Sequence, residues 1–280
     1  MAEQTGSEGS LITLIDVTKK YNGRSIIDGV SHTFKKGESV AFYGHNGCGK
    51  STMLKLLGGL ISLSGGKIKY SKKLKFSYVP EKFAGMEIAM ADYLHGIADI
   101  EGKDRKVADD LIHGFFMDPM VKTRMDKLSK GSLQKVGVIQ ALMAPGDVLL
   151  LDEPLSGQDA DSQKVFISKV NDLRQKGVTI FMSCHEKKLI DELSDNVYTI
   201  EQGKLARITL TNETVYKISV RYNDALKMWP EMTARGNRCE LRTEEARLKE
   251  RVMRLYEDGW EIVGIEECDR SVENEIKALV

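Results

Sequence analysis

Short apolar runs alternate with amphipathic segments through the first two thirds of the chain. Residues 148–151 and 178–182 are runs of strand length that are apolar except at Thr179, and such runs are typical of parallel strands covered on both faces. Residues 12–17 and 39–43 also have the composition of strands. Helical spacing follows, for example in residues 162–176, where apolar side chains fall on one stripe. This alternation predicts a layered α/β core built on a parallel sheet.

Changes in the pattern divide the chain into three parts. The polar residues 1–10 contain glycine and serine and are expected to form a flexible lead-in. Residues 11–205 carry the α/β alternation, and a mostly helical stretch at about 82–145 is expected to be an inserted subdomain. From 206 to 280 the pattern restarts and predicts a small α+β domain, with alternating strands and helices at 215–221, 224–232, 238–242, 244–256 and 261–267.

A glycine-rich turn joins the predicted strand at 39–43 to a predicted helix at 50–60. It fits the phosphate-binding loop pattern in the strand-to-helix context that the pattern requires, and it reads Gly44-His45-Asn46-Gly47-Cys48-Gly49-Lys50-Ser51-Thr52. Its glycines let backbone N–H groups turn toward phosphates, and the helix amino end adds partial positive charge. Lys50 is expected to reach the β and γ phosphates of a nucleotide, and the Ser51 hydroxyl a Mg²⁺ ion. Thr52 either reaches the α-phosphate or caps the helix.

Two acidic residues follow the apolar run at 148–151. Asp152 is expected to bring a carboxylate to the Mg²⁺ side of the phosphate loop. Glu153 stands where a carboxylate can orient or deprotonate an attacking water. The alternative is a pair of solvated acids in a turn before Pro154. That alternative weakens beside a phosphate loop, because two carboxylates next to a triphosphate need a metal.

A third motif indicates a family. Residues 128–135 read Leu-Ser-Lys-Gly-Ser-Leu-Gln-Lys and resemble the signature of the ATP-binding subunits of ABC transporters, whose consensus is Leu-Ser-Gly-Gly-Gln followed by x-Gln-Arg or x-Gln-Lys. The resemblance covers about residues 11–204. It implies a P-loop NTPase fold, with a RecA-like α/β core and an inserted helical subdomain. It also implies that Ser129 and the Gly131 backbone contact the nucleotide held by another protomer, a role compatible with helix capping by Ser129.

The same resemblance assigns further residues to the site. Tyr21 matches the aromatic residue that stacks on adenine, and His185 the histidine that contacts the γ-phosphate and helps to hold the water. Asp159 matches the acidic residue of a loop, 155–159, that crosses the dimer interface. The resemblance therefore implies that Asp159 is one of the ATP-binding residues. Residues 78–81 read Tyr-Val-Pro-Glu, so Glu81 stands where the family has a glutamine that contacts Mg²⁺ and water. A carboxylate still suits a hard cation but adds negative charge beside the triphosphate.

Two features resemble one branch of the family, the bacterial ABC-2 type exporters. Lys130 gives the signature its Ser-Lys-Gly form, and residues 260–263 and 271–275 are similar to the strand and final helix of exporter cassettes. The resemblance therefore implies the cytoplasmic ATPase subunit of an exporter, using ATP and Mg²⁺. It implies a homodimer, or a heterodimer with a related cassette. A membrane-spanning permease is expected to dock near residues 83–93 and to hold the subunit on the inner face of the cell membrane.

Composition limits the other functional classes. The 41 basic and 41 acidic residues balance, so charge gives no argument for a nucleic-acid partner and none is expected. The four scattered cysteines are expected to be reduced thiols in a cytosolic protein. The alternatives are an ABC ATPase that acts on nucleic acid or the ribosome, and a regulatory ATP-binding module. The single cassette without long coiled-coil insertions opposes the first, and intact Lys50, Asp152, Glu153 and His185 oppose the second.

Overall fold

The computed structural model describes residues 9–210 and 215–268. Its contacts divide the chain into two compact units, with the boundary between Arg207 and Ile208; the sequence places it between residues 205 and 206. The expected lead-in at 1–8 and the final helix expected within 271–275 lie outside the described residues. Ser10, assigned to that lead-in, is the first residue of a strand. No helix in the described ranges is long and apolar enough to span a membrane.

The elements follow one another in the order below. The first unit contains β1 (Ser10–Tyr21), β2 (Arg24–Lys35), β3 (Ser39–Tyr43), α1 (Lys50–Leu57), β4 (Gly65–Tyr70), β5 (Phe76–Val79), α2 (Met90–Ile100), α3 (Arg105–Gly114), α4 (Lys130–Met143), β6 (Val148–Asp152), α5 (Ala160–Gln175), β7 (Thr179–Ser183), α6 (Lys187–Leu193) and β8 (Asn196–Glu201). Next come β9 (Lys204–Ile208), β10 (Val215–Arg221), β11 (Thr233–Arg235), β12 (Arg238–Glu244), α7 (Glu245–Glu257) and β13 (Ile262–Cys268).

A six-stranded sheet forms the centre of the first unit, in the order β5-β6-β7-β3-β8-β9. The first five of these strands pair in parallel. Every residue of β3, β6 and β7 is buried, as continuous apolar runs require in a strand covered on both faces. A second, antiparallel sheet has the order β2-β1-β4. The helical stretch between β5 and β6 holds α2, α3 and α4, as the sequence predicts.

One apolar core joins the two sheets. Phe34 of β2 contacts the ring of Phe181 of β7 at 4.9 Å between ring centroids, and Phe42 of β3 stacks on Phe181 at 6.3 Å. Met53 and Leu54 of α1 are fully buried in the same cluster. This packing holds α1 in the core, and the glycine loop at residues 44–49 joins β3 to the start of the helix. The helix ends at Leu57, three residues before the predicted end, because Gly58 and Gly59 follow and Gly59 is left-handed.

The second unit is a four-stranded antiparallel sheet with α7 packed on it. Its strand order is β11-β12-β10-β13, and its core includes Ile218, Leu241, Leu255 and Trp260. The helix predicted at 224–232 is wrong, because the structure has turns there and then the short strand β11.

Candidate active site

Many of the predicted site residues lie where the parallel strands of the central sheet end. The glycine loop follows β3, Glu81 follows β5, Asp152 and Glu153 end or follow β6, and His185 follows β7. These strands are parallel neighbours, so their carboxyl ends lie at one edge. In open α/β sheets this edge is where ligands bind.

A cavity of about 550 Å³ opens at this edge, within the range usual for small-molecule sites. Most of the predicted site residues line it, together with three residues that the sequence analysis did not assign to the site, Ile26, Lys130 and Ser156. The predicted lining residues are Tyr21, Asn46, Gly47, Gly49, Lys50, Ser51, Thr52, Glu81, Glu153 and His185. The ring of Tyr21 is 46% exposed and lies 4.9 Å from Lys19 Nζ. An exposed ring beside the cavity has a face available for stacking.

The glycine loop owes its shape to left-handed backbone. Gly44, Gly47 and Gly49 have φ of 146°, 84° and 118°, which side chains with a Cβ rarely adopt. Lys50 Nζ donates to the carbonyl oxygens of Gly44 at 2.6 Å and His45 at 3.2 Å. Its ammonium group is thereby held across the loop. Cys48 also lies close, since a Cβ on Gly44 would be 3.1 Å from its Sγ.

Helix α1 begins without a side-chain cap. Gly49 is its N-cap residue and no side chain accepts a hydrogen bond there, so Thr52 does not cap the helix. The first N–H groups of any helix have no intrahelical partner. Beside the cavity, these groups and the helix dipole favour an anion.

Asp152 is the centre of a buried hydrogen-bond network. Its side chain is 1% exposed. Oδ1 accepts from Ser51 Oγ at 2.8 Å and from Ser183 Oγ at 2.6 Å, while Oδ2 accepts from the Tyr78 hydroxyl at 3.3 Å. Burial, and then the charge of Asp152, raise the pKa of Tyr78 well above its ordinary value, so the phenol stays a donor. Ser183 and Tyr78 were not among the predicted site residues. Ser183 also accepts from the Glu153 N–H at 3.0 Å.

Glu153 has one engaged oxygen and one free of hydrogen bonds. Its Oε2 lies 2.9 Å from Nδ1 of His185. Its Oε1 is buried, lies 3.9 Å from Lys50 Nζ and has no hydrogen-bond partner among the described residues. The residue also has a left-handed φ of 48°, a conformation uncommon for side chains other than glycine and often found at functional sites. A buried carboxylate oxygen without a donor is costly, so this atom is suited to accept a proton from a water molecule.

The donor set suits Mg²⁺. Ser51 Oγ and Asp152 Oδ1 are both oxygen donors 2.8 Å apart, and Mg²⁺ prefers oxygen. The described residues contain no group of three or more His, Cys, Asp or Glu side chains that could hold a metal. In the Mg²⁺ sites of nucleotide enzymes, one or two protein ligands are completed by water and substrate phosphates.

The signature segment lies against the loop that follows β6. Ser129 caps α4 by accepting a hydrogen bond from the Ser132 N–H at 3.1 Å. Gly131 is in such close contact with Gly157 that a Cβ on it would be 2.2 Å from the Gly157 carbonyl oxygen. Lys130 Nζ donates to Ser156 Oγ at 3.3 Å. Ser129 and Gly131 do not line the cavity of their own chain, although Lys130 and Ser156 do.

Asp159 serves the structure of its own chain. It caps α5 through the Ser162 N–H at 2.9 Å and pairs with Lys135 Nζ at 2.7 Å. The hydrogen bond from Lys135, followed by that from Ser162, holds the pKa of Asp159 below its usual range. The side chain is outside the cavity lining, as are Gly44, His45, Cys48 and Asp152.

Comparison with known proteins gives consistent matches. Residues 27–156 match the family model described as ABC transporter. The zinc import ATP-binding protein ZnuC 1 of Aliivibrio fischeri is 31% identical over 197 residues, which cover 69% of this chain and 75% of that protein. The spermidine/putrescine import ATP-binding protein PotA of Mycoplasma capricolum is 28% identical over 229 residues, covering 75% and 64%.

Solved structures agree with the fold. A dimeric ATP-binding cassette in a post-hydrolysis state with ADP and phosphate has a TM-score of 0.64 at 19% identity, covering 70% of this chain and 97% of that one. A bacterial Atm1-family ABC exporter with ATP bound has a TM-score of 0.62 at 22% identity, covering 74% and 40%. These likenesses confirm the predicted P-loop α/β fold.

Proposed function

The chain belongs to the family of ABC transporter ATP-binding proteins and is an ATPase, and we propose that it is the motor subunit of an exporter. The assignment of ATP hydrolysis rests on one observation. At the carboxyl-end edge of the central sheet, four predicted site residues lie close together: Lys50, Asp152, Glu153 and His185. Three parallel strands that are far apart in sequence, β3, β6 and β7, bring a cation, two carboxylates and an imidazole to one edge of the sheet.

Nucleotide binding is assigned to the glycine loop and its surroundings. The loop N–H groups and the amino end of α1 hold the phosphates, and Lys50 exchanges its contacts with the loop carbonyls for the β and γ phosphates. Tyr21 stacks on the adenine. Ser51 and Asp152, whose oxygens are 2.8 Å apart, would hold Mg²⁺, with Glu81 lining the neighbouring cavity. The metal supplies charge neutralisation at the phosphates when it is bound.

Hydrolysis is assigned to Glu153 and His185. Glu153 Oε1, which lacks a hydrogen-bond partner among the described residues, accepts a proton from the attacking water. His185 keeps the carboxylate in place through Oε2 and contacts the γ-phosphate. Ser183 supports the strand end by joining the Glu153 N–H to Asp152. Such positioning of charged groups is the main source of rate in phosphoryl transfer.

Two cassettes are proposed to share each nucleotide. Ser129 and Gly131 lie at the amino end of α4, outside the cavity of their own chain. This position supports the proposal that they contact a nucleotide held by a second cassette, of the same or a related chain, with Asp159 in the loop that crosses the interface. Hydrolysis adds water across the bond between the β and γ phosphates and yields ADP and phosphate, two anions that repel each other, so the pair opens.

A membrane-spanning permease is the proposed partner, and it would hold the chain at the cytoplasmic face of the membrane. Residues 83–93 offer exposed apolar side chains for docking, since Met86 and Ile88 are each 38% exposed. Export is supported by Lys130 in the signature. The relatives named above are import proteins and one structural neighbour is an exporter. Because these are transport proteins, they do not favour action on nucleic acid or ribosomes, or a purely regulatory role.

Co-purification tests the permease assignment. Affinity-tagged chain is recovered from detergent-solubilised membranes, and a polytopic membrane protein is expected with it. Met86→Glu with Ile88→Glu should abolish that recovery, because both side chains are exposed and their change spares the core. Ile100→Glu is the control, since Ile100 is 81% exposed at the far end of α2. Equal recovery from all three forms would reject docking at residues 83–93.

Accumulation of substrate inside inverted vesicles on addition of ATP would support export, and ATP-driven loss would contradict it.

A further inference from the structure

A second cavity, of about 430 Å³, lies at the opposite edge of the central sheet, where the parallel strands begin. Its walls come from the turns that precede β3, β5, β6 and β7. These turns bring together four lysines and one carboxylate. We call this set the lysine groove, and it consists of Lys36, Lys72, Lys75, Asp147 and Lys176.

Backbone contacts hold the turns against one another. The Thr179 N–H donates to the Asp147 carbonyl oxygen at 3.1 Å, and the Gly37 N–H donates to Thr179 Oγ1 at 2.8 Å. Gly146 lies so close to Lys75 that a Cβ on it would be 2.1 Å from the Lys75 carbonyl oxygen. The lysines therefore project from fixed backbone positions.

Asp147 organises one side of the groove. Its Oδ1 accepts from Lys72 Nζ at 2.7 Å and its Oδ2 from the Lys75 N–H at 2.9 Å. The hydrogen bond from Lys72 is the main cause of the lowered pKa of Asp147, and the charge of Lys36 contributes further. The carboxylate is thus already engaged, and it fixes the turn that carries two of the lysines.

Of the other three lysines, one is paired with a carboxylate in the described part of the chain and two are not. Lys75 Nζ pairs with Glu101. Lys36 and Lys176 are exposed, and within residues 9–210 and 215–268 neither has a carboxylate at ion-pair distance. Two lysines without an ion pair in these ranges therefore line the same cavity of about 430 Å³.

We propose that the lysine groove binds a small anion that carries two or more phosphate groups, either free in solution or as the headgroup of a lipid. Lysine ammonium groups bind phosphates as point charges. The volume falls in the range of small-molecule sites, and the two lysines without an ion pair among the described residues favour an anion that carries more than one charge. This site is separate from the nucleotide cavity and does not depend on the proposed function.

Calorimetry with inorganic tripolyphosphate tests the groove. The full-length chain carries Lys50→Ala to disable the glycine loop, and binding is measured at low salt without divalent metal. One-to-one binding is expected, weakening as salt rises. Adding Lys36→Gln and Lys176→Gln should weaken it at least about tenfold, because two charge contacts are lost. Adding Lys67→Gln and Lys69→Gln is the control, as these exposed lysines of β4 carry the same charge outside the groove.

A sedimentation arm separates the two sources of phosphate. The same three proteins are mixed with phosphatidylcholine vesicles, with and without phosphatidylinositol bisphosphate. Groove-dependent binding of tripolyphosphate alone identifies a soluble anion. Groove-dependent binding to the phosphorylated vesicles as well identifies a lipid headgroup. The proposal would be overturned if the protein bound neither tripolyphosphate nor the phosphorylated vesicles. It would also be overturned if the groove substitutions and the control substitutions weakened binding equally.

Discussion

Replacing Glu153 by glutamine removes the proposed proton acceptor and keeps the size of the side chain. Oε1 has no hydrogen-bond partner among the described residues, so its exchange for an amide group breaks no hydrogen bond there. Oε2 contacts His185, whose side chain is 61% exposed, so that contact adds little to stability. We therefore expect a folded protein. A general base contributes about 10²–10⁴ in rate, which corresponds to about 3–5 kcal/mol in the barrier.

Nucleotide affinity should not fall in Glu153→Gln. The carboxylate lies 3.9 Å from Lys50 Nζ, and its replacement removes a negative charge that competes with the phosphates for that ammonium group and repels them. Single-turnover phosphate release at saturating Mg-ATP gives the chemical rate, and equilibrium binding gives the dissociation constant. The control is Glu186→Gln, an exposed carboxylate outside the cavity. An unchanged chemical rate in Glu153→Gln would refute Glu153 as the base.

Three further substitutions test the site and its supports. Glu81→Gln should strengthen metal-free ATP binding and raise the Mg²⁺ concentration needed for half-maximal turnover, because it removes a negative charge from the cavity; a magnesium titration that does not move would contradict this. Ser183→Ala should lower turnover and cost about 1–3 kcal/mol in urea unfolding, because Asp152 and the Glu153 N–H each lose a partner. Asp159→Asn should reduce the free energy of unfolding at pH 7 by no more than about 1 kcal/mol, since the Asp159 side chain is 57% exposed. Because the folded pKa of Asp159 is lowered, the stability that it adds is present above the unfolded pKa of about 3.9 and is lost as pH falls through the lower folded value; a difference that persists in stronger acid would contradict this.

The central strands could be predicted because the signal for each one lies in a few consecutive residues. β6 and β7 are buried at every position, and a strand covered on both faces is mostly apolar along its length. β2 was missed because its buried positions follow no simple alternation. Its pairing with β1 shifts register four times, and Gly29 has a left-handed φ of 60°. Irregular, twisted pairing of this kind leaves no period-2 pattern.

Contacts with residues distant in sequence help to explain why residues 224–232 do not form the predicted helix. Pro230 disfavours helical backbone at Trp229. The indole Nε1 donates to Asp258 Oδ2 at 2.8 Å, and the guanidinium of Arg254 lies 4.9 Å from the ring. These partners are on or beside α7, so spacing along residues 224–232 could not reveal them.

Some residues of the candidate site could likewise be predicted from the sequence, and others could not. Residues 44–52 form a continuous motif whose glycines dictate its backbone, so the sequence alone identifies it. Ser183 reaches Asp152 only because β6 and β7 pair in parallel with these two residues in register. They are 31 residues apart in the chain, and a single serine carries no motif. The only local signal was its place at the end of a buried strand, two residues before His185.

The mass of the hydrolysis-blocked protein tests the shared-nucleotide mechanism most directly. Glu153→Gln is measured by light scattering with Mg-ATP and with Mg-ADP, alone and mixed with related cassettes from the same cell. The mechanism predicts a doubled mass with Mg-ATP, as a homodimer or a mixed pair, and a single-chain mass with Mg-ADP. A single-chain mass with ATP bound in every mixture would contradict it.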